Sequence, residues 1–295
     1  PAAAPPRKVL EINRLEAPSR ELFETEYLDR NRPVVITGVA DKWPAMETWS
    51  VEYLKSVAGD SEVTVHFRED ADFGHWYRVQ EEREDQRLPF GEVLDLLDGD
   101  PGDRRYYMTE HSLRQVSPAL VGDVDVSRYV DLEEPWEPLL FVGYDSCMPA
   151  HIHGSTEAFL CQLRAEKSIT LYSPEQYHRL YPRKWYQKSP LFSELDGRAI
   201  QSDTVDLGEH PKFEHAVPYR FTLRPGEILF IPVHWWHVTS VPGFHLSVTF
   251  FWKAKFGNWT FPVPGVQMCA REALHQVKRG ARFVSGRRHA AASHG

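Results

Sequence analysis

Cysteine is scarce, basic charge is outnumbered and long apolar runs are missing, and each shortage closes off a class of protein. The three cysteines of the 295-residue chain, Cys147, Cys161 and Cys269, are odd in number and show no C-x-x-C spacing. They suit neither a disulfide framework nor a thiolate zinc site, so a reducing, cytoplasmic setting is expected. No stretch approaches the roughly 18 consecutive apolar residues of a membrane helix. The start, Pro1 to Pro6, lacks the basic-then-apolar order of a secretory signal, so no membrane partner is expected. Lys and Arg total 34 against 42 Asp and Glu, a formal charge of −8. Nucleic acid, whose phosphates select a basic surface, is therefore not expected as a partner. The acidic residues gather in Glu81 to Asp85 and Asp95 to Asp103, which read as solvated loops and helix faces. No internal repeat is present.

Aromatic residues, by contrast, are plentiful: nine Trp, sixteen Phe and twelve Tyr supply enough buried surface for one large domain without staples. Residues 1–7 are Pro/Ala-rich and expected to be disordered, as is a flexible tail over 281–295. Ser19 to Asn31 carries Leu22, Phe23, Tyr27 and Leu28 at helical spacing, and Arg32 to Gly38 is a short β-branched run closed by glycine. Ser50 stands as an N-cap before a helix through Leu54, and a strand carrying Val63, Val65 and Phe67 follows. Pro89 to Leu97 reads as another helix.

From Arg105 the pattern changes to short strands: Tyr106–Thr109, Leu139–Val142, Phe159–Leu163, Ser168–Tyr172, Tyr219–Leu223, Glu227–Ile231 and His245–Trp252. Many short strands punctuated by Gly and Pro imply a sandwich or jelly roll. A domain over 8–255 is expected, with residues 177–218 as a long functional insertion between two strands. Residues 256–280 read as a C-terminal helical element, beginning its helix near Gln267, that packs on the domain or on a second copy as a homodimer.

His151-Ile152-His153 lies between Pro149 and Gly154. On extended backbone, residues two apart point to one side, so the two imidazoles converge. Downstream, Pro225 to Pro232 is a turn feeding an apolar strand, and Val233-His234-Trp235-Trp236-His237 follows at once. If these segments are neighbours in one roll, His237 joins the pair. Three neutral imidazoles suit Fe(II), Cu(II), Ni(II) or Zn(II).

Two short motifs carry a family resemblance. His151, His153 and Glu157, as H-x-H-x-x-x-E, resemble the first cupin motif, and Gly226, Pro232 and His237 resemble the second. From Ile12 to Lys253 the chain is similar to the jumonji-C family of Fe(II)/2-oxoglutarate oxygenases, including its asparaginyl and arginyl hydroxylase branch. The matching stretches are Arg32 to Ile36, Trp43-Pro44-Ala45, Trp49-Ser50, Pro149-Ala150-His151, Lys167 with Leu171 to Pro174, and Pro225-Gly226-Glu227 through Trp235-Trp236-His237.

That resemblance implies a mainly β fold with flanking helices, a double-stranded β-helix, with His151 and His237 as metal ligands. His153 stands where the family usually has a carboxylate, so the site is either three histidines or three histidines plus Glu157. Lys167 falls where the family pairs a lysine with the distal carboxylate of 2-oxoglutarate, and Tyr107 resembles its cosubstrate tyrosine. Met148 replaces a common hydroxyl residue, and His234 replaces a small residue of the cupin pattern and reads as a surface histidine or, alternatively, as a base just behind the metal ligands. The implied enzyme is a dioxygenase that uses Fe(II), O2 and 2-oxoglutarate to hydroxylate a peptide or protein side chain or a small natural product. Substrate would lie under 177–218 near Arg104, Arg105 and Glu110. Two other readings stay open: a 2-oxoglutarate-independent oxidase using Fe or Cu on three histidines, and a jelly-roll binding module without turnover. A charge-transfer band with 2-oxoglutarate separates the first from the second, and metal content separates the third.

Overall fold

A computed structural model describes residues 8–68, 84–99, 105–133, 136–187, 189–271 and 273. The 1–7 segment, the 281–295 tail, Arg104, parts of both acidic runs and the end of the 256–280 element lie outside the described residues.

Eleven strands build the described fold: β1 (Arg14–Glu16), β2 (Val34–Thr37), β3 (Glu62–Arg68), β4 (Glu84–Pro89), β5 (Arg105–Ser112), β6 (Leu139–His151), β7 (Thr156–Arg164), β8 (Lys167–Tyr172), β9 (Tyr219–Leu223), β10 (Ile228–Ile231) and β11 (Trp236–Lys253). Strand β11 is the spine. It pairs antiparallel with β6 from His237–His151 to Thr249–Leu139. Its first half also pairs with β8, and its second half with β7. Bulges after His237 and Val241 bend it, and Gly243, at φ +66°, takes a conformation that suits glycine. One half then belongs to β9-β8-β11-β6, and the other to β1-β2-β10-β7-β11-β6-β5-β3-β4. The result is the expected jelly roll, a mainly β fold with helices along its flank.

Strand alternation decides which side chains enter the roll. On β7 and β10, Leu160, Leu229 and Ile231 turn inward with Ile169, Leu171 and Leu223. Phe159 and Phe230 turn outward and pack with Phe23 and Tyr129 under the N-terminal helices. Burying each such aromatic contributes about 1.5–3 kcal/mol. Ser19 and Ser50 cap their helices by accepting from Leu22 N and Tyr53 N, both at 3.1 Å.

Three local expectations need correction. The Ser19–Asn31 helix is one α-helical turn, Arg20–Phe23, widened into a π-helical turn over Glu24–Leu28. Strands β6 and β11 run far beyond Leu139–Val142 and His245–Trp252, because each supplies the other's hydrogen bonds past Gly143, Pro149 and Pro242. The first acidic run is not a solvated loop throughout: Glu84–Pro89 forms β4 against β3.

Candidate metal centre

His151 ends β6, His237 sits at the start of β11, and the two are register partners. His153 follows two residues after His151. Their neighbours Ala150, Ile152, Trp236 and Val238 turn the other way into a second apolar cluster beneath the 177–218 insertion, so alternation delivers the three imidazoles to one cavity. One ligand nitrogen from each lies within 4.8 Å of the others. Ring centroids are 3.9 Å apart for His151–His237, 4.6 Å for His153–His237 and 5.8 Å for His151–His153.

The hydrogen bonds fix two of the tautomers. His151 Nδ1 donates to Pro149 O at 2.9 Å, and His237 Nδ1 donates to Trp235 O at 3.1 Å. A carbonyl can only accept, so both rings carry the proton on Nδ1 and keep a lone pair on Nε2. His153 Nδ1 is buried with no hydrogen-bond partner among the described residues, a costly state. Enclosure by protein pushes His151 down to about 4 and, with His151 nearby as a lesser cause, His153 to about 3. The same burial, reinforced by its two neighbours, holds His237 well below the usual histidine range. Three neutral imidazoles with lone pairs converging are a donor set that fits a divalent transition metal.

Glu157 is not among them. It lies on the outward face of β7 with Phe159, where Trp252 Nε1 donates to one carboxylate oxygen at 2.9 Å and Asn258 Nδ2 to the other at 3.1 Å. Burial raises its carboxyl to about 7 against the opposing pull of those two donors.

The cavity in front of the histidines has a volume of about 1830 Å³. Lys167, on β8, lines it while only 3% exposed. Its Nζ donates to Ser247 Oγ at 3.0 Å, and burial lowers it to about 7. Among the described residues no carboxylate pairs with it. Tyr107 also lines the cavity, its hydroxyl pushed up by burial first and then by Glu110. Glu110 sits at a β5 bulge with φ +55°, faces the cavity, and is raised by its surroundings. Met148 packs against Tyr107. Phe192, from the insertion, stacks on His151 at 5.1 Å and 19°.

Several residues of this cavity escape a reading of the sequence. Ser247 and Thr249 alternate with Leu246, Val248 and Phe250, a pattern that normally marks a solvent face but here lines the inside of the roll. His66, with Asp85 Oδ1 at 2.7 Å from its Nδ1, also faces the cavity. His234 is fully buried, which corrects the expected surface histidine; Trp235 and Trp236 are packing residues.

The domain has counterparts among known proteins. A family model for a cupin-like domain matches residues 19–258. The chain is 31% identical over 252 residues to lysine-specific demethylase 8 of Danio rerio, covering 82% of this chain and 58% of that one. It is 24% identical over 260 residues to tRNA wybutosine-synthesizing protein 5 of Homo sapiens, covering 83% and 78%. It is 26% identical over 273 residues to the human bifunctional peptidase and (3S)-lysyl hydroxylase JMJD7, covering 84% and 85%. This chain spans a little over half the length of the demethylase relatives.

Proposed function

Since this chain belongs to the cupin-like domain family, we propose that it is a metal-dependent oxygenase that uses Fe(II), O2 and 2-oxoglutarate to hydroxylate a peptide or protein side chain. Lys167 carries the reading. A lysine this deeply buried, with a serine hydroxyl as its hydrogen-bond acceptor, lacks among the described residues the anion that would offset its burial. It faces the same cavity as the histidines. Leu171 opposes His237 across the β8–β11 pair, and Lys167 lies four residues further along that strand, on the same face. That separation is roughly 13 Å by strand rise, to be bridged jointly by the lysine's four-carbon stem, the histidine side chain and the oxoacid.

In this reading His151, His153 and His237 hold the metal, with no carboxylate from Glu157. When bound, Fe(II) with O2 and 2-oxoglutarate supplies the oxidant that places one oxygen atom on a substrate C–H bond and releases succinate and CO2. The chain's own residues bind and orient. Lys167 receives the distal carboxylate, with Ser247 Oγ and the Tyr107 hydroxyl beside it, so that Ser247 offers the hydroxyl that Met148 cannot. Leu160, Ile231 and Phe251 keep water from the inner wall. Glu110, Asp85 and Glu137 line the cavity on the β3–β5 side.

A second reading, a three-histidine oxidase that needs no oxoacid, draws on the all-imidazole donor set and on Met148. Titrating the anaerobic Fe(II) protein with 2-oxoglutarate separates the two. The proposal expects a visible metal-to-ligand charge-transfer band that Lys167→Ala weakens at least tenfold in 2-oxoglutarate affinity. Absence of the band in the wild-type protein favours the second reading.

A further inference from the structure

His234 stands behind the metal loop, fully buried, in a left-handed backbone conformation at φ +67° that non-glycine residues rarely adopt. Its backbone N–H donates to His153 O at 3.3 Å. The ring makes two further bonds: Thr260 N–H donates to Nδ1 at 3.0 Å, and Nε2 lies 3.1 Å from Gly154 O. An amide can only donate and a carbonyl can only accept. The ring is therefore a neutral tautomer with its proton on Nε2, bridging two chain segments.

One segment is the metal loop, and the other is the C-terminal stretch that follows β11. Gly154 is pressed from its far side as well, since a Cβ there would come within 2.9 Å of Met268 Sδ. His151 and His237 each have Nδ1 anchored by a carbonyl, whereas His153 Nδ1 has no hydrogen-bond partner among the described residues. The third imidazole thus depends on its backbone for orientation, and that backbone is what His234 grips.

We propose that His234 is a positioning residue for His153, acting through its bonds to His153 O and Gly154 O. This rests on the metal reading above. Strain at a residue held in place by three hydrogen bonds is the mark of a conformation kept for what it positions, and residues that orient a ligand typically change metal affinity about 10- to 100-fold.

Co(II) is the probe. Wild-type protein is titrated first, and stoichiometric binding with a visible d–d spectrum is the separate test of the metal reading. His234→Gly relieves the left-handed backbone yet loses both ring bonds. It is expected to keep its circular dichroism, bind Co(II) about 10- to 100-fold more weakly and show an altered d–d spectrum. His234→Gln keeps a donor for Gly154 O and is expected to restore the spectrum; His234→Asn keeps an acceptor for Thr260 N–H alone and is not. The Gln–Asn contrast decides the matter even if the glycine variant fails to fold. Wild-type affinity and spectrum in folded His234→Gly, or equal spectra for the Gln and Asn variants, overturn the proposal. A wild-type protein that binds no Co(II) removes the metal reading itself.

Discussion

A lysine at 3% exposure whose Nζ meets one serine hydroxyl is held in a state that disfavours its charge. Unfolded, Lys167 keeps a proton to about pH 10.5; folded, only to about 7. Between those values the unfolded chain binds the extra proton, so this residue makes stability rise with pH across that window, and its penalty is complete below pH 7. A carboxylate arriving beside Nζ reverses the shift. Binding of 2-oxoglutarate at pH 8 is therefore expected to take up about one proton per chain, measured by calorimetry in buffers of differing ionisation enthalpy. Lys167→Met should abolish the uptake, and binding without proton uptake in the wild type contradicts this account of the residue. His151 and His153 are readable in the sequence because strand periodicity fixes which side they share, and Lys167 is readable only through the family resemblance. Ser247 is not, because polar–apolar alternation cannot distinguish a wet outer face from a cavity-lining one.

The insertion between β8 and β9 does more than cover the cavity. Ser193 N donates to Ala150 O at 2.8 Å and Ile152 N to Leu191 O at 3.0 Å, so residues 191–193 pair with the end of β6 through an isolated antiparallel bridge. Phe192 is thereby laid flat on His151. Aromatic pairs of this kind contribute about 0.5–1.5 kcal/mol beyond burial. Phe192→Ala is expected to destabilise the chain by about 1 kcal/mol or more in chemical denaturation of the metal-free protein and to speed metal release in a chelator competition. Unchanged release would mean that the stack does not hold His151. Strands β8, β9 and β10 are readable because each is a bounded β-branched or aromatic run. The long reach of β6 and β11 is not, because Gly143, Pro149, Pro242 and Gly243 look like stops and only the partner strand carries pairing past them. Strand β4 is hidden for a related reason: Glu84 to Arg87 are polar residues that become a strand by pairing with β3.

At the scale of the whole molecule, two strands bent through both sheets help bring residues from position 64 to position 271 around one cavity. Everything proposed for it depends on three imidazoles sharing a single cation, without help from a carboxylate on the outer face. That the histidines converge was legible from their spacing and the strand feeding His237. That Glu157 faces away was not, since its direction is set by alternation along β7 and by Trp252 and Asn258, one a strand neighbour and the other beyond β11. X-ray absorption on protein loaded with one equivalent of Fe(II) tests this most directly, with metal content measured on the same samples. The account predicts one metal per chain in a shell containing three imidazoles, unchanged in Glu157→Gln and lost in His153→Ala. A shell with fewer than three imidazoles, or one that changes when Glu157 is replaced, would contradict it.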